Sequence, residues 1–255
     1  MQLFFRQVGD GHPLIILHGL FGSCDNWLTI SKPIAENGFS VYAIDQRNHG
    51  RSPHAPTHTY PDMADDLYEF IQQQNLQKPI LVGHSMGGKT VMQFAMRYPD
   101  LAASLVVVDI APKAYRVHHR EILDGLAAVP LAQIQHRNEA EDVLKQYEEL
   151  PAVRQFLLKN LYRNEAGAFD WRINLKVLDE SIEIIGGDVE DKKVVETPTL
   201  FMRGALSNYV RETDLPSIGE WFPHAELDTI ANAGHWVQAE QPQAFLDSLM
   251  RFLKK

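Results

Sequence analysis

The stretch Gly83-His84-Ser85-Met86-Gly87-Gly88 constrains the fold of this chain more than any other feature of its sequence. It follows the apolar run at residues 80–82 directly, and a helical pattern begins at Met86. A strand that turns abruptly into a helix needs glycine on both sides of the turn, because side chains would block the close approach of the backbone. Such a turn strains the serine and exposes its hydroxyl beyond the carboxyl end of the strand. We therefore predict that Ser85 is a nucleophile on a strand–turn–helix elbow.

Short apolar runs alternate with longer amphipathic segments along most of the chain. The runs are typical of strands buried on both faces and lie at residues 14–17, 40–44, 79–82, 105–108, 199–202 and 226–230. Helical patterns lie at residues 27–36, 60–74, 86–98 and 242–253. Repeated strand–helix–strand units predict an α/β fold, with a mostly parallel central sheet flanked by helices.

One long interval, residues 113–196, contains no convincing core strand and is rich in Glu, Arg, Gln, Leu and Ala. A connection of that length must have structure of its own. We interpret it as a helical cap on the α/β core formed by residues 1–112 and 197–255. A second independent domain is the alternative, but the strand series resumes after the interval and favours a cap.

Charge and composition limit the partners and the compartment. The formal net charge of −9 on 255 residues disfavours nucleic acid or an anionic membrane as a standing partner. The single cysteine, Cys24, allows no intrachain disulfide, so a reducing compartment is the default. The first ten residues do not resemble a signal peptide, and no apolar run approaches the ~18 residues of a transmembrane helix. We predict a cytoplasmic protein that needs no cofactor, and its oligomeric state is left open.

The loop after the first apolar run is a candidate oxyanion site. An oxyanion hole needs two donors, and one of them is the backbone N–H of the residue after the nucleophile, Met86. The stretch His18-Gly19-Leu20-Phe21-Gly22 follows residues 14–17 and is expected to supply the second donor. Leu20 N–H is the preferred donor and Phe21 N–H the alternative, whereas His18 is expected to brace the loop.

The general base should follow the last core strand. His235, in the stretch Ala-Gly-His-Trp at residues 233–236, lies between the apolar segment 226–230 and the final helix. A histidine of near-neutral pKa can take the serine proton and return it to the leaving group. His118 and His119 could serve a metal, but no partners at ligand spacing accompany them, so no metal site is predicted.

The acid of the triad is where the sequence departs from a common pattern. The segment after residues 199–202 contains no carboxylate in its first positions, and Ser207 stands about where one would be expected. Asp109 follows the run 105–108 directly, so its side chain should lie in the same crevice as the nucleophile. We predict that Asp109 orients His235, with Ser207 as a supporting neighbour. Glu212 and Asp214 are the alternatives.

The chain resembles α/β-hydrolases over nearly its whole length, and more narrowly the bacterial YbfF-type esterases. The matching stretches are HGLFGSCDNW (18–27), DQRNHGRSP (45–53), GHSMGGK (83–89), VDIAP (108–112), SNYV (207–210) and AGHWV (233–237). In that family the acid follows the sixth strand and a serine occupies the later position, and we predict that the helical cap of this chain is inserted after the sixth strand. The resemblance therefore implies Asp109 and Ser207 independently. It also implies hydrolysis of short-chain acyl esters or acyl thioesters.

These observations predict a cofactor-free serine esterase or thioesterase whose substrate is a small acyl ester or thioester. Phe21 and Trp236 are expected to line its acyl pocket. One alternative keeps the triad but changes the reaction, as in C–C hydrolases or lyases of this fold. Another is a non-catalytic ligand-binding protein, because a fold alone does not determine function.

Overall fold

The computed structural model of the protein describes residues 1–116 and 119–255. Seven strands of this part of the chain form the main sheet: β1 (Phe5–Val8), β2 (His12–Leu17), β3 (Phe39–Ile44), β4 (Ile80–His84), β5 (Ser104–Val108), β8 (Thr199–Gly204) and β9 (Ala225–Ile230). The strands β6 (Leu161–Arg163) and β7 (Phe169–Trp171) form a separate antiparallel pair. The spatial order of the main sheet is β1-β3-β2-β4-β5-β8-β9. Every neighbouring pair is parallel except β1 with β3.

The helices separate the strands and cover the sheet. They are α1 (Leu28–Ala35), α2 (Tyr60–Gln73), α3 (Met86–Arg97), α4 (Arg120–Ala128), α5 (Arg137–Leu144), α6 (Pro151–Leu158), α7 (Leu175–Glu180), α8 (Ile182–Gly186), α9 (Leu215–Trp221), α10 (Val237–Glu240) and α11 (Pro242–Leu253). Single 3₁₀ turns lie at Cys24–Trp27 and Glu212–Asp214. No helix in the described residues is both long and apolar enough to cross a membrane.

The sheet is buried on both faces. Ile15 and Leu17 of β2 belong to an apolar cluster that α2 and α3 complete. Leu14 and Ile16 of the same strand belong to a second cluster, which includes residues of α1 and α11. Successive side chains of a strand point to opposite faces, so a continuous apolar run is what a sheet covered on both sides requires. The predicted α/β fold class is confirmed, and all six predicted runs are strands of the main sheet.

Three details differ from the sequence-based expectation. The edge strand β1 was not predicted, because its Phe-Arg-Gln-Val sequence has no apolar run and it pairs antiparallel with β3. The long insertion follows β5, which is the fifth strand of the described main sheet in chain order and not the sixth. The count is one lower than expected because a single strand, β1, precedes β2. The hairpin of β6 and β7 was also missed, because strands of three residues are too short to show a period.

The insertion packs against loops that carry the candidate site. Its helices α4 to α8 and its hairpin contribute Leu126, Leu157 and Trp171 to a third apolar cluster. Phe21 and Met86, which follow β2 and β4, belong to the same cluster. Both residues stand at carboxyl ends of strands, so the insertion lies against that edge of the sheet.

Candidate active site

Ser85 occupies the turn between β4 and α3 in a strained backbone conformation. Its φ of 53° and ψ of −118° lie outside the regions that residues with a side chain usually occupy. Ser85 N–H donates to Val108 O over 3.0 Å, which ties the turn to the end of β5. A Cβ at Gly83 would stand 2.2 Å from Gly87 O, and one at Gly87 would stand 2.4 Å from Leu17 O. Glycine is therefore required on both sides of the serine.

The strain at Ser85 predicts an unusual order of variant stabilities. Ser85→Gly and Ser85→Ala both remove the hydroxyl, but only glycine adopts positive φ without a steric penalty. We expect Ser85→Gly to be more stable than Ser85→Ala by about 1 kcal/mol. Thermal unfolding of the two purified variants measures the difference. An alanine variant as stable as the glycine variant would show that the turn is not strained.

Asp109 and His235 are brought together although they are far apart in sequence. Asp109 follows β5 and is fully buried, and His235 follows β9. His235 Nδ1 lies 2.7 Å from Asp109 Oδ2. Ser207 Oγ donates to Asp109 Oδ2 over 2.5 Å, and Gly204 N–H donates to Asp109 Oδ1 over 3.1 Å. The buried carboxylate thus accepts hydrogen bonds on both oxygens, and its neighbours fix its orientation.

The alternative acids are engaged elsewhere. Glu212 pairs with Arg203 and is mostly exposed. Asp214 pairs with Lys113 over 2.6 Å and accepts Arg211 N–H over 2.8 Å. In the described part of the chain, Asp109 is the carboxylate that contacts the His235 ring.

Two aromatic neighbours fix the plane and the backbone of His235. The Tyr209 ring stacks on the imidazole, with centroids 3.9 Å apart and planes 19° from parallel. His84 Nε2 donates to His235 O over 2.8 Å. Burial, with a smaller contribution from the nearby His235, lowers the pKa of His84 to about 3, so His84 is neutral at pH 7. Tyr209 was not predicted as a site residue, although it lies two residues after Ser207 in the SNYV stretch at residues 207–210.

The loop at residues 18–22 lies directly beside Ser85. A Cβ at Gly19 would stand 3.2 Å from Ser85 Cβ, a tight contact that glycine avoids. Phe21 N–H is already donated to His49 Nε2 over 3.2 Å. No acceptor for the backbone N–H of Leu20 or Met86 occurs among the described residues. Leu20 and Met86 therefore each offer an uncommitted N–H group close to the serine.

The DQRNHG stretch braces that loop from behind. Gln46 N–H donates to His18 Nε2 over 3.0 Å, and the Gln46 side-chain amide donates to His18 O over 2.7 Å. Asp45 accepts the N–H of Cys24 over 2.6 Å, and His49 accepts that of Phe21. From the insertion, the Asn160 side-chain amide donates to Phe21 O over 2.8 Å. His18 is buried within this network and acts as a brace, as its position in the sequence suggested.

Two clefts meet at Ser85. The first cleft contains both Ser85 and His235, and its apolar walls are Phe21, Trp27, Ile122, Phe156, Leu157 and Trp236. The second cleft also reaches Ser85, and its walls include Tyr60, Met86, Ile110, Tyr115, Ile182 and Ile185. Both residues expected in a pocket, Phe21 and Trp236, therefore line the first cleft.

Metal ligation finds no support in the described residues. No group of three His, Cys, Asp or Glu residues there could hold a metal ion. His119 lines both clefts, and His118 lies outside the described residues.

The chain is similar over nearly its whole length to known hydrolases. A family model for the alpha/beta hydrolase fold matches residues 12–135. The sn-1-specific diacylglycerol lipase ABHD11 of Danio rerio is 40% identical over 257 residues, covering 98% of this chain and 81% of that protein. Esterase YbfF of Escherichia coli is 39% identical over 246 residues, covering 96% and 94%. A solved structure of a marine microorganism esterase is 44% identical with a TM-score of 0.95, covering 98% and 99%.

Proposed function

The chain belongs to the α/β-hydrolase family, and on that premise we propose that it is a serine esterase with Ser85 as its nucleophile. Relatives named as esterase or lipase confirm the predicted reaction class, a carboxylic ester hydrolase. One observation supports the assignment of Ser85, His235 and Asp109 as the catalytic triad. His235 lines the same cleft as Ser85, and its Nδ1 is hydrogen-bonded to Asp109 Oδ2.

In the acylation step, Ser85 Oγ attacks the acyl carbon while His235 takes the serine proton. Asp109 accepts from Nδ1, which leaves Nε2 as the imidazole nitrogen for the serine. The carboxylate orients the ring and stabilises the imidazolium that forms. Ser207 supports this arrangement by donating to Asp109. His235 then gives its proton to the leaving alcohol or thiol, and the acyl group remains on Ser85.

The oxyanion of the tetrahedral intermediate is assigned to the N–H groups of Leu20 and Met86. Met86 begins α3, so the positive end of the helix dipole adds to its donor. His49 and Asn160 hold the backbone of Phe21, and thereby fix the loop that presents Leu20. Water then attacks the acyl-enzyme with His235 as base, and releases the free acid and Ser85.

The insertion completes the clefts around Ser85. Its residues Phe156 and Leu157 lie in the first cleft, and Ile182 and Ile185 lie in the second. We therefore assign residues 113–196 the role of a cap that selects the acyl group. Thioesters fit the same chemistry, because the acyl carbon is attacked in the same way. The cytoplasmic location and the lack of a nucleic-acid or membrane partner stay predictions from composition and charge.

Covalent labelling tests the assignment of the nucleophile. A fluorophosphonate probe should react with the protein at one site, and mass spectrometry of the digested protein should place the adduct on the peptide that contains Ser85. The Ser85→Ala variant should remain unlabelled and fail to hydrolyse p-nitrophenyl acetate. Labelling of that variant at another serine would overturn the assignment.

A substrate panel separates the competing functions. Esters and acyl-CoA thioesters of increasing chain length, together with a β-diketone, are offered to the wild type and to Ser85→Ala. Turnover that needs Ser85 supports an esterase or thioesterase. Binding without turnover of any member would instead favour a ligand-binding protein, and turnover restricted to C–C bonds of a β-diketone would favour a C–C hydrolase.

A further inference from the structure

Lys89 is a buried cation that the esterase mechanism does not use. It lies on α3 one helical turn beyond Ser85, and only 1% of its surface is exposed. Its ammonium donates to the backbone oxygens of Gly186 and Gly187. The ammonium also lies 5.4 Å from the ring centre of Tyr60 and 4.9 Å from that of Tyr115. These contacts place it in the wall of the second cleft.

No carboxylate of the described residues neutralises this ammonium. Asp188, the acid that acts on Lys89 from a distance, pairs with Lys192 over 2.6 Å and so already has a partner. The second cleft has no Asp or Glu among its described lining residues, while Arg116 adds another cation. Fully buried lysines are almost always paired with an anion. The second cleft therefore holds positive charge in a wall that is otherwise largely apolar and aromatic.

The ammonium form of Lys89 predominates at neutral pH. Burial is the largest influence and lowers the pKa of Lys89 to about 8, while Asp188 opposes this and Lys192 and Lys113 add to it. At pH 7 most molecules therefore carry the charge. Carbonyl oxygens solvate the ammonium but do not neutralise it, so an anion that enters the second cleft gains a charge-assisted hydrogen bond.

We propose that the second cleft binds acyl groups that end in a carboxylate, with Lys89 as the partner of that carboxylate. Four residues along a helix span about 6 Å, and helical side chains lean toward the N-terminus, which here is the serine end. A short dicarboxylic monoester such as a succinyl ester bridges such a distance once the bond from Ser85 Oγ to its ester carbon and the hydrogen bond from its free carboxylate to the ammonium are included. The methylene groups between them would contact the apolar wall formed by Ile110 and Ile182.

The reaction of such a substrate follows the proposed function, on which this inference rests. Ser85 Oγ forms a bond to the ester carbonyl carbon, and the alcohol leaves with the proton that His235 carries. Water then cleaves the acyl-enzyme to the free dicarboxylic acid and restores the serine. The distal carboxylate takes no part in bond making and remains paired with Lys89.

A matched pair of substrates tests the inference. The p-nitrophenyl monoester of succinic acid and p-nitrophenyl butyrate have acyl chains of the same length and differ in a terminal carboxylate against a methyl group. We expect the wild type to show the lower KM for the succinyl ester. Lys89→Met should raise that KM by about 10- to 100-fold and leave the KM for the butyryl ester little changed. Lys176→Met removes an exposed lysine of the insertion that pairs with Glu180 and lines neither cleft, and should change neither value.

Other results of these measurements would overturn the inference. Equal losses on both esters in Lys89→Met would show that Lys89 only ties α3 to residues 186–187, and would overturn the inference. The wild type alone provides a second measurement, in which glutarate should inhibit p-nitrophenyl acetate hydrolysis more strongly than butyrate. Stronger inhibition by butyrate overturns the inference even if Lys89→Met fails to fold. Butyryl turnover without a succinyl preference refutes this inference alone, whereas no turnover of either ester refutes the proposed function.

Discussion

Replacing His235 with alanine is expected to lower kcat for p-nitrophenyl acetate by about 10⁶-fold, the size of the loss when the base of a serine protease triad is removed. Without the imidazole, the proton of Ser85 has no acceptor and the leaving group has no donor. Asp109 would remain in place, held by Ser207 and Gly204, so the fold should persist. Steady-state kinetics of the purified variant, with circular dichroism to verify folding, measure the effect.

His224 provides the matched control for that variant. It is an exposed histidine that pairs with Glu196 and lines neither cleft. His224→Ala should therefore keep the activity of the wild type. If His235→Ala kept a large share of the activity, another group would have to be the base and the assignment would fail.

Asp109→Asn is expected to lower kcat by about 10⁴-fold with little change in KM, by analogy with serine proteases. The amide would offer His235 Nδ1 a donor or a weaker acceptor, so the imidazole would lose its orientation and the support of its positive charge. Ser207 and Gly204 would also face an altered partner in a fully buried site. Single-turnover kinetics should show that the loss lies in acylation.

The two acids considered as alternatives serve as controls. Glu212→Gln removes an exposed ion pair with Arg203, and Asp214→Asn removes a pair with Lys113. Neither change should affect kcat strongly, although loss of the Asp214 contacts is expected to lower thermal stability. A loss in either variant that matched the expected Asp109 loss, together with an active Asp109→Asn, would transfer the role of the acid.

Local sequence signals predicted the fold because each one depended on neighbours along the chain. The apolar runs of β2, β4 and β5 lack alternation, and that property follows from burial on both faces alone. The turn at Ser85 was also predictable, since Gly83 is required by a contact with Gly87 only four residues away, although the contact that requires Gly87 is with the distant Leu17 O. The candidates Asp109 and His235 could be chosen because the carboxyl ends of parallel strands meet at one edge.

Features that depend on distant contacts were not predictable from the sequence. Tyr209 stacks on His235, but nothing in the spacing of the two residues indicates it. The contact of His49 with Phe21 N–H joins two loops, and it settles which N–H groups are left uncommitted. Lys89 belongs to a matching stretch of the sequence, yet its burial beside Gly186 depends on how the insertion folds back.

Under the proposed role of residues 113–196 as a cap, the hydrogen bond from Asn160 to Phe21 O limits how freely that cap can be exchanged for another. Asn160 holds part of the backbone that presents Leu20, so on this proposal specificity and rate would share a structural element. Transplanting a foreign cap would change the substrate range and would also disturb the oxyanion loop, unless the new cap supplies an amide at the place of Asn160. Engineering of acyl selectivity in this protein should therefore start from substitutions within the existing cap.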